Sequence, residues 1–172
     1  MKAALVLRLL LAASDHEGHE FRWSEIPPLS GYPGPVDGWT SWPELVELRP
    51  GHAVERLPTA ASGRVDARTA EALRVVLRDP VQCFPSSEWD EHAQLSRPRD
   101  GGVARTAGDA LDGWCVGGFS GRAASPSLVI EAPAYADSLL VTCAPDVARR
   151  LVSAGAEAFE VTRARPIPLW TD

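Results

Sequence analysis

Cysteine is scarce in this chain and badly spaced for chemistry that needs pairs. The 172 residues hold three, Cys83, Cys115 and Cys143, with no C-x-x-C spacing. An odd, unpaired set argues against a disulfide framework and suits reduced thiols in a cytoplasmic protein. Basic excess is also missing: 17 Lys and Arg face 23 Asp and Glu, for a net charge of −6. That balance disfavours binding to nucleic acid or to an anionic membrane, and attracts a basic partner. No apolar run is long enough to span a bilayer. The nucleophile elbow is absent too, because Gly118-Phe119-Ser120-Gly121 has the wrong spacing. Gly117, Gly118 and Gly121 lack the Lys-Ser/Thr ending of a phosphate loop, and read as a tight turn. No cofactor and no catalytic set follow from such a sequence.

What is present is ordinary globular material, 45% apolar and 23% charged. Fifteen Pro and fourteen Gly gather between the periodic segments and predict long irregular connections. Lys2 followed by Ala3 to Ala13 has the outline of a targeting segment, but Arg8 interrupts its apolar run. Leu5, Leu7, Leu9 and Leu11, alternating with Val6, Arg8 and Leu10, predict a strand. Phe21, Trp23 and Ile26 predict a second, so that residues 1–26 make a hairpin around the polar turn Asp15–Glu20. From Pro27 to Pro43 the chain reads as a loop pinned by Tyr32, Trp39 and Trp42, and Leu45, Val46 and Leu48 as a short strand.

Two helices carry the clearest signals. The first runs from Asp66, a good cap, through Arg78, with Ala70, Leu73, Val76 and Leu77 as its buried stripe. The second follows the apolar run Leu139–Val141: Thr142 is the candidate cap, Pro145 sits in the first turn and Gly155 closes the helix. Its stripe is Val147, Ala148, Leu151 and Val152, with Arg149, Arg150 and Ser153 on the other side, and Ala158 to Val161 returns as a strand. The expected architecture is a single α+β domain over 1–172, a mixed, largely antiparallel sheet packed against two main helices. Strands are expected near 4–12, 20–26, 44–48, 81–84, 128–131, 138–142 and 158–162, and helices near 66–78 and 145–154. A shift of 75 residues overlays the two helix–strand units, Glu71 on Asp146 and Phe84 on Phe159, and raises the alternative of two weakly related halves, about 1–100 and 101–172.

Three groups of residues are candidates for function. His16 and His19, in Asp-His-Glu-Gly-His, could hold a metal, although the spacing is one short of His-Glu-x-x-His and a hydrated hairpin turn is the simpler reading. Cys143 begins the last helix, where a thiolate would be stabilised if exposed, but its apolar neighbours favour burial. Trp89, among Glu88, Asp90 and Glu91, combines a large apolar anchor with an acidic rim and is the candidate partner-binding segment.

The tail carries a resemblance. Tyr135, Asp137 and Leu139 to Val141, leading into Thr142 and Pro145 and then to Leu151, Gly155 and Phe159, resembles immunity proteins of bacterial polymorphic toxin systems, in particular the group that includes the myxobacterial double-CXXCG proteins. The likeness covers about the last 40 residues. Both C-x-x-C pairs of that group are missing, so no zinc site carries over. What the resemblance implies is a cytoplasmic antitoxin-like protein that binds and neutralises a cognate toxin, one with basic character in view of the acidic balance. A small metal-dependent hydrolase using His16 and His19 is the alternative from another class, and an accessory subunit of a larger assembly is a third.

Overall fold

The computed structural model describes residues 4–61, 65–85, 103–104, 119–123, 128–132 and 136–168. Among these, the strands are β1 (Leu5–Leu10), β2 (Ala13–Ser14), β3 (Glu20–Phe21), β4 (Val81–Pro85), β5 (Val103–Ala104), β6 (Phe119–Ala123), β7 (Val129–Ala132), β8 (Ser138–Cys143) and β9 (Ala158–Val161). The α-helices are α1 (Pro27–Ser30), α2 (Trp42–Val46), α3 (Ala67–Val76) and α4 (Pro145–Ser153). Seven strands form one antiparallel-paired sheet in the order β5-β4-β6-β7-β8-β1-β9, and β2 and β3 form a separate hairpin. The α+β architecture is therefore as the sequence predicts.

The first strand is interior and pairs with the last third of the chain. Leu5 lies opposite Cys143 and Leu10 opposite Ser138 on one side; Val6 lies opposite Val161 and Leu9 opposite Ala158 on the other. Both neighbours run antiparallel to β1, so β8 and β9 are parallel to each other. They make a β-α-β unit, through α4, with β1 inserted in its middle. The predicted hairpin of residues 1–26 is thus corrected: β1 does not pair with the segment after the turn, and only Ala13–Ser14 pairs with Glu20–Phe21. The expected strand at 20–26 stops early because carboxylates take the next amides. Glu25 accepts from Arg22 N at 2.7 Å, and Glu157 accepts from Trp23 N and Ser24 N at 2.8 and 2.9 Å, bending Trp23–Glu25 into a 3₁₀ turn.

Alternation along β1 divides the molecule into layers. Leu7 and Leu9, with Leu11 beyond the strand, face α3 and α4, in one core with Leu73, Val76, Ile130, Leu139, Val141 and Leu151. Leu10 faces the other way, into a second core with Trp23, Ile26, Trp42 and Leu45. The predicted strand at 44–48 is instead the helix α2, since Pro43 suits a first turn and Trp42 and Leu45, three apart, bury one face. Within α3, Asp66 caps by accepting from Thr69 N at 2.8 Å, and Thr69, Ala72, Leu73 and Val76 are buried. In α4 the cap position is Ala144 and Thr142 stays in the strand, opposite Val6 and Val129. The buried stripe is Ala148 and Leu151; Val152, expected inside, is 52% exposed. Gly155 takes the expected left-handed conformation at φ 102°. The tight turn expected at Gly121 is also corrected: it lies inside β6, opposite Cys83 and Ile130, and Val103–Ala104 forms a strand where irregular chain was expected.

Arg8 occupies the even face of β1 and is fully buried. Its Nε donates to Ser138 Oγ at 2.9 Å, Nη1 to the carbonyls of Gly38 and Thr40 at 3.3 and 2.7 Å, and Nη2 to Asp137 Oδ1 at 3.3 Å. The guanidinium also lies 5.2 Å from the centroid of the Trp23 ring. Gly38 must be small: a Cβ there would come within 2.6 Å of Val161 Cγ1.

Two stability predictions follow from this packing. Leu151→Asp should lose more than about 3 kcal/mol in urea unfolding, since it puts an unpaired charge in the core, whereas Arg150→Ala, which gives up one partly buried bond to Val76 O, should lose about 1 kcal/mol or less. Equal losses would mean that the faces of α4 are misassigned. Arg8→Met should cost about 3–5 kcal/mol by stranding the Asp137 carboxylate, and adding Asp137→Asn should recover about 1 kcal/mol or more; simple additivity of the two changes would contradict the coupling.

Candidate functional site

The acidic turn and the groove behind it bring several polar side chains together at the surface. Two short paired strands carry the turn, Ala13 opposite Phe21 and Ser14 opposite Glu20. Asp15 closes it: its backbone N donates to His19 O and its carbonyl accepts from Gly18 N, both at 3.1 Å. Its Oδ1 accepts from Glu17 N and His19 N, both at 2.9 Å. Gly18 sits at φ 86°, a conformation in which glycine carries no Cβ penalty. The predicted hydrated hairpin turn is therefore present, on a shorter hairpin than expected.

Side chains at 15, 17 and 19 converge. His19 Nδ1 lies 2.9 Å from Asp15 Oδ2 and 3.6 Å from Glu17 Oε2. The bond from the His19 ring, reinforced by the two backbone amides, holds the Asp15 carboxyl below its ordinary range against a smaller desolvation effect. His16, which the sequence pairs with His19, lies outside this group: its side chain is 87% exposed, with Nε2 3.8 Å from the other Glu17 oxygen. The donors that come together are Asp15, Glu17 and His19.

Behind the hairpin, Ser14 and Glu20 look onto a groove of about 250 Å³ that is completed by Ala12, Gly18, Ala60, Ala61 and Asp66. Three elements assemble it. Thr59 bridges to Ser14 through reciprocal backbone bonds of 2.8 and 2.9 Å, which brings Ala60 and Ala61 alongside. Asp66, the cap of α3, also accepts from Ala12 N at 3.0 Å and so ties the helix to the end of β1. Glu20 reaches Ala67 N at 3.5 Å. Ala12, Ala60 and Ala61 give the groove its apolar part and Ser14, Glu20 and Asp66 its polar part; Asp66 is buried with Oδ1 taken by Thr69 N and Oδ2 by Ala12 N, so Glu20 is the exposed carboxylate there. The sequence showed Asp66 as a cap and Glu20 as a turn residue; that they share a groove depends on pairings far apart in the chain.

The predicted anchor segment Glu88, Trp89, Asp90 and Glu91 lies outside the described residues, as do Trp114, Cys115 and His92. Trp23 and Trp42 are structural, packed edge to face with centroids 5.3 Å apart, and Trp23 Nε1 donates to Leu11 O at 2.9 Å. Cys143 is buried beside a second hollow of about 240 Å³, where Val76, Leu77, Leu128 and Val147 also contribute. Burial, with a smaller contribution from the negative charge of Asp146, pushes its thiol up to about 11. At neutral pH it is protonated and is a packing residue.

No helix among the described residues is long and apolar enough to cross a membrane. Comparisons with protein-family models, with curated proteins and with solved structures find no match.

The thiol assignment has a direct check. In a Cys83→Ser, Cys115→Ser background, Cys143 of the native protein at pH 8 should react with an aromatic disulfide at least about 100-fold more slowly than in urea. A native rate equal to the unfolded one would show an accessible, activated thiol.

Proposed function

We propose that this chain is an antitoxin-like binding protein, an immunity protein that neutralises a basic bacterial toxin by stoichiometric contact without turnover. The observation that carries this reading is the groove between the β2–β3 hairpin and α3, with the exposed carboxylate of Glu20 on it and the acidic turn projecting beside it. A protein of net charge −6 that offers a basic side chain an exposed carboxylate is suited to a cationic surface. Two further features support it. Among the described residues, buried Arg8 and Cys143 of the sheet and Asp137 beside it are held in packing and internal bonds. The tail that resembles immunity proteins forms the β8–α4–β9 unit around β1, the most extensively paired part of the sheet. Free, buried Cys143 is compatible with a reducing cytoplasm, where such a protein would act. The Glu88–Glu91 segment with Trp89 is proposed as a second contact of the same interface.

The test is co-expression with the product of the neighbouring reading frame in a bacterial host. The expected outcome is rescue from growth arrest and a complex of fixed stoichiometry. Within it, Glu20→Lys should weaken binding at least about tenfold with a flattened salt dependence, and Trp89→Ala should weaken it by at least about 1 kcal/mol chiefly through faster dissociation. Neither rescue nor complex, with the chain folded, would count against the reading. Unchanged binding by both variants would place the interface elsewhere.

A further inference from the structure

The acidic turn of the β2–β3 hairpin, which the binding reading uses only for its charge, also brings three metal-ligating donors together. Two carboxylates alone would be an acidic patch; here an imidazole nitrogen sits between them. Ligands sharing one ion at about 2.0–2.2 Å, at tetrahedral or octahedral angles, lie about 2.9–3.6 Å from their neighbours. His19 Nδ1 stands 2.9 Å from Asp15 Oδ2 and 3.6 Å from Glu17 Oε2, and all three donors fall within 4.8 Å of one another. The arrangement is built into the backbone. Asp15 spends Oδ1 on the amides of Glu17 and His19, which leaves Oδ2 as the oxygen facing the ring. Gly18 turns the chain back, so that positions 15, 17 and 19 share a side while Ser14 and Glu20 face the groove.

We propose that Asp15, Glu17 and His19 form a binding site for one divalent transition-metal cation of the zinc, nickel or copper class. Two carboxylates and a neutral imidazole balance the charge of such an ion. A mixed nitrogen and oxygen set selects it over magnesium or calcium, which favour oxygen ligands alone. The site is exposed, so its remaining positions are open to water or to a donor from another molecule. Its role is to brace the turn and neutralise its charge; it is not a catalytic centre. His16 takes no part, which separates this site from one built on His16 and His19.

The experiment uses the full chain in the Cys83→Ser, Cys115→Ser background, stripped with a chelator and titrated calorimetrically with zinc sulfate, nickel chloride and magnesium chloride. Saturable binding of one zinc or nickel ion is expected, with no magnesium binding over the same concentration range. His19→Ala and Glu17→Gln should each raise the zinc Kd at least about tenfold, and His16→Ala by less than about threefold. Thermal unfolding of each metal-free variant verifies that the fold is retained, and a zinc-dependent rise in Tm, lost in His19→Ala, is a second readout. Absence of saturable zinc and nickel binding overturns the proposal. So does equal binding of magnesium, which would reveal an unspecific acidic patch, or a His16→Ala loss as large as that of His19→Ala.

Discussion

The layered structure depends on one buried guanidinium. A strand reading Leu-Val-Leu-Arg-Leu-Leu would, with an apolar residue at position 8, have two interchangeable apolar faces. Arg8 removes that ambiguity, because its face must be covered by acceptors. Asp137 and Ser138 supply them from the neighbouring strand's end, and the carbonyls of Gly38 and Thr40 from the opposite layer. Four of its five donors are thereby met. Burial nevertheless dominates the electrostatics of the pair: it pushes the Asp137 carboxyl up, with attraction from Arg8 only partly offsetting it, and it lowers Arg8 as well. Asp137 Oδ2 has no partner, consistent with a carboxylate whose desolvation is incompletely compensated. Such a pair adds less to stability than its geometry suggests, and it fixes which face of β1 meets which layer.

That choice positions the surface features. With Arg8 and Leu10 on the layer that contains Trp23 and Trp42, the chain leaving β1 must turn at Leu11–Ala13 on the same side as the segment 21–60. Trp23 then donates to Leu11 O while the helix cap Asp66 accepts from Ala12 N, so adjoining residues are anchored from different parts of the chain. The β2–β3 hairpin therefore projects from a fixed base. The groove lies between that base and the first turn of α3.

Local order was legible in the sequence and long-range pairing was not. The cap of α3, and the first-turn proline and closing glycine of α4, were readable because Asp66, Pro145 and Gly155 act within a few residues of themselves, whereas the cap of α4 was misplaced at Thr142. The alternation of β1 was equally plain, but its partners, such as Ser138 opposite Leu10 and Val161 opposite Val6, lie at the other end of the chain, and no local pattern names them. Misread elements share a cause: a neighbour outside the window took the decision. Glu157 claims the amides of Trp23 and Ser24 and ends a strand that alternation would have continued. Val152 has the spacing of a core residue but is exposed, the buried positions of α4 being Ala148 and Leu151. At the turn, the motif pointed to two histidines, whereas the bonds of the Asp15 carboxylate to Glu17 N, His19 N and the His19 ring gather Asp15 with Glu17 and His19.

The hairpin thereby has two surfaces with different chemistry. One side carries Asp15, Glu17 and His19; the other carries Ser14 and Glu20 toward the groove. Charge on the first side reaches the second through little intervening material, since the turn is only a few residues wide. A cation held at His19 would thus reduce the negative potential that a basic partner meets at Glu20, and a bound partner would reduce the attraction of the turn for a cation. Linkage requires these effects to be equal in free energy when both ligands bind the same protein. If the partner instead supplies a donor to an open position on the ion, the sign reverses and each ligand strengthens the other. If both proposed ligands bind, their coupling at the hairpin would take its sign from whether the partner brings a charge or a ligand.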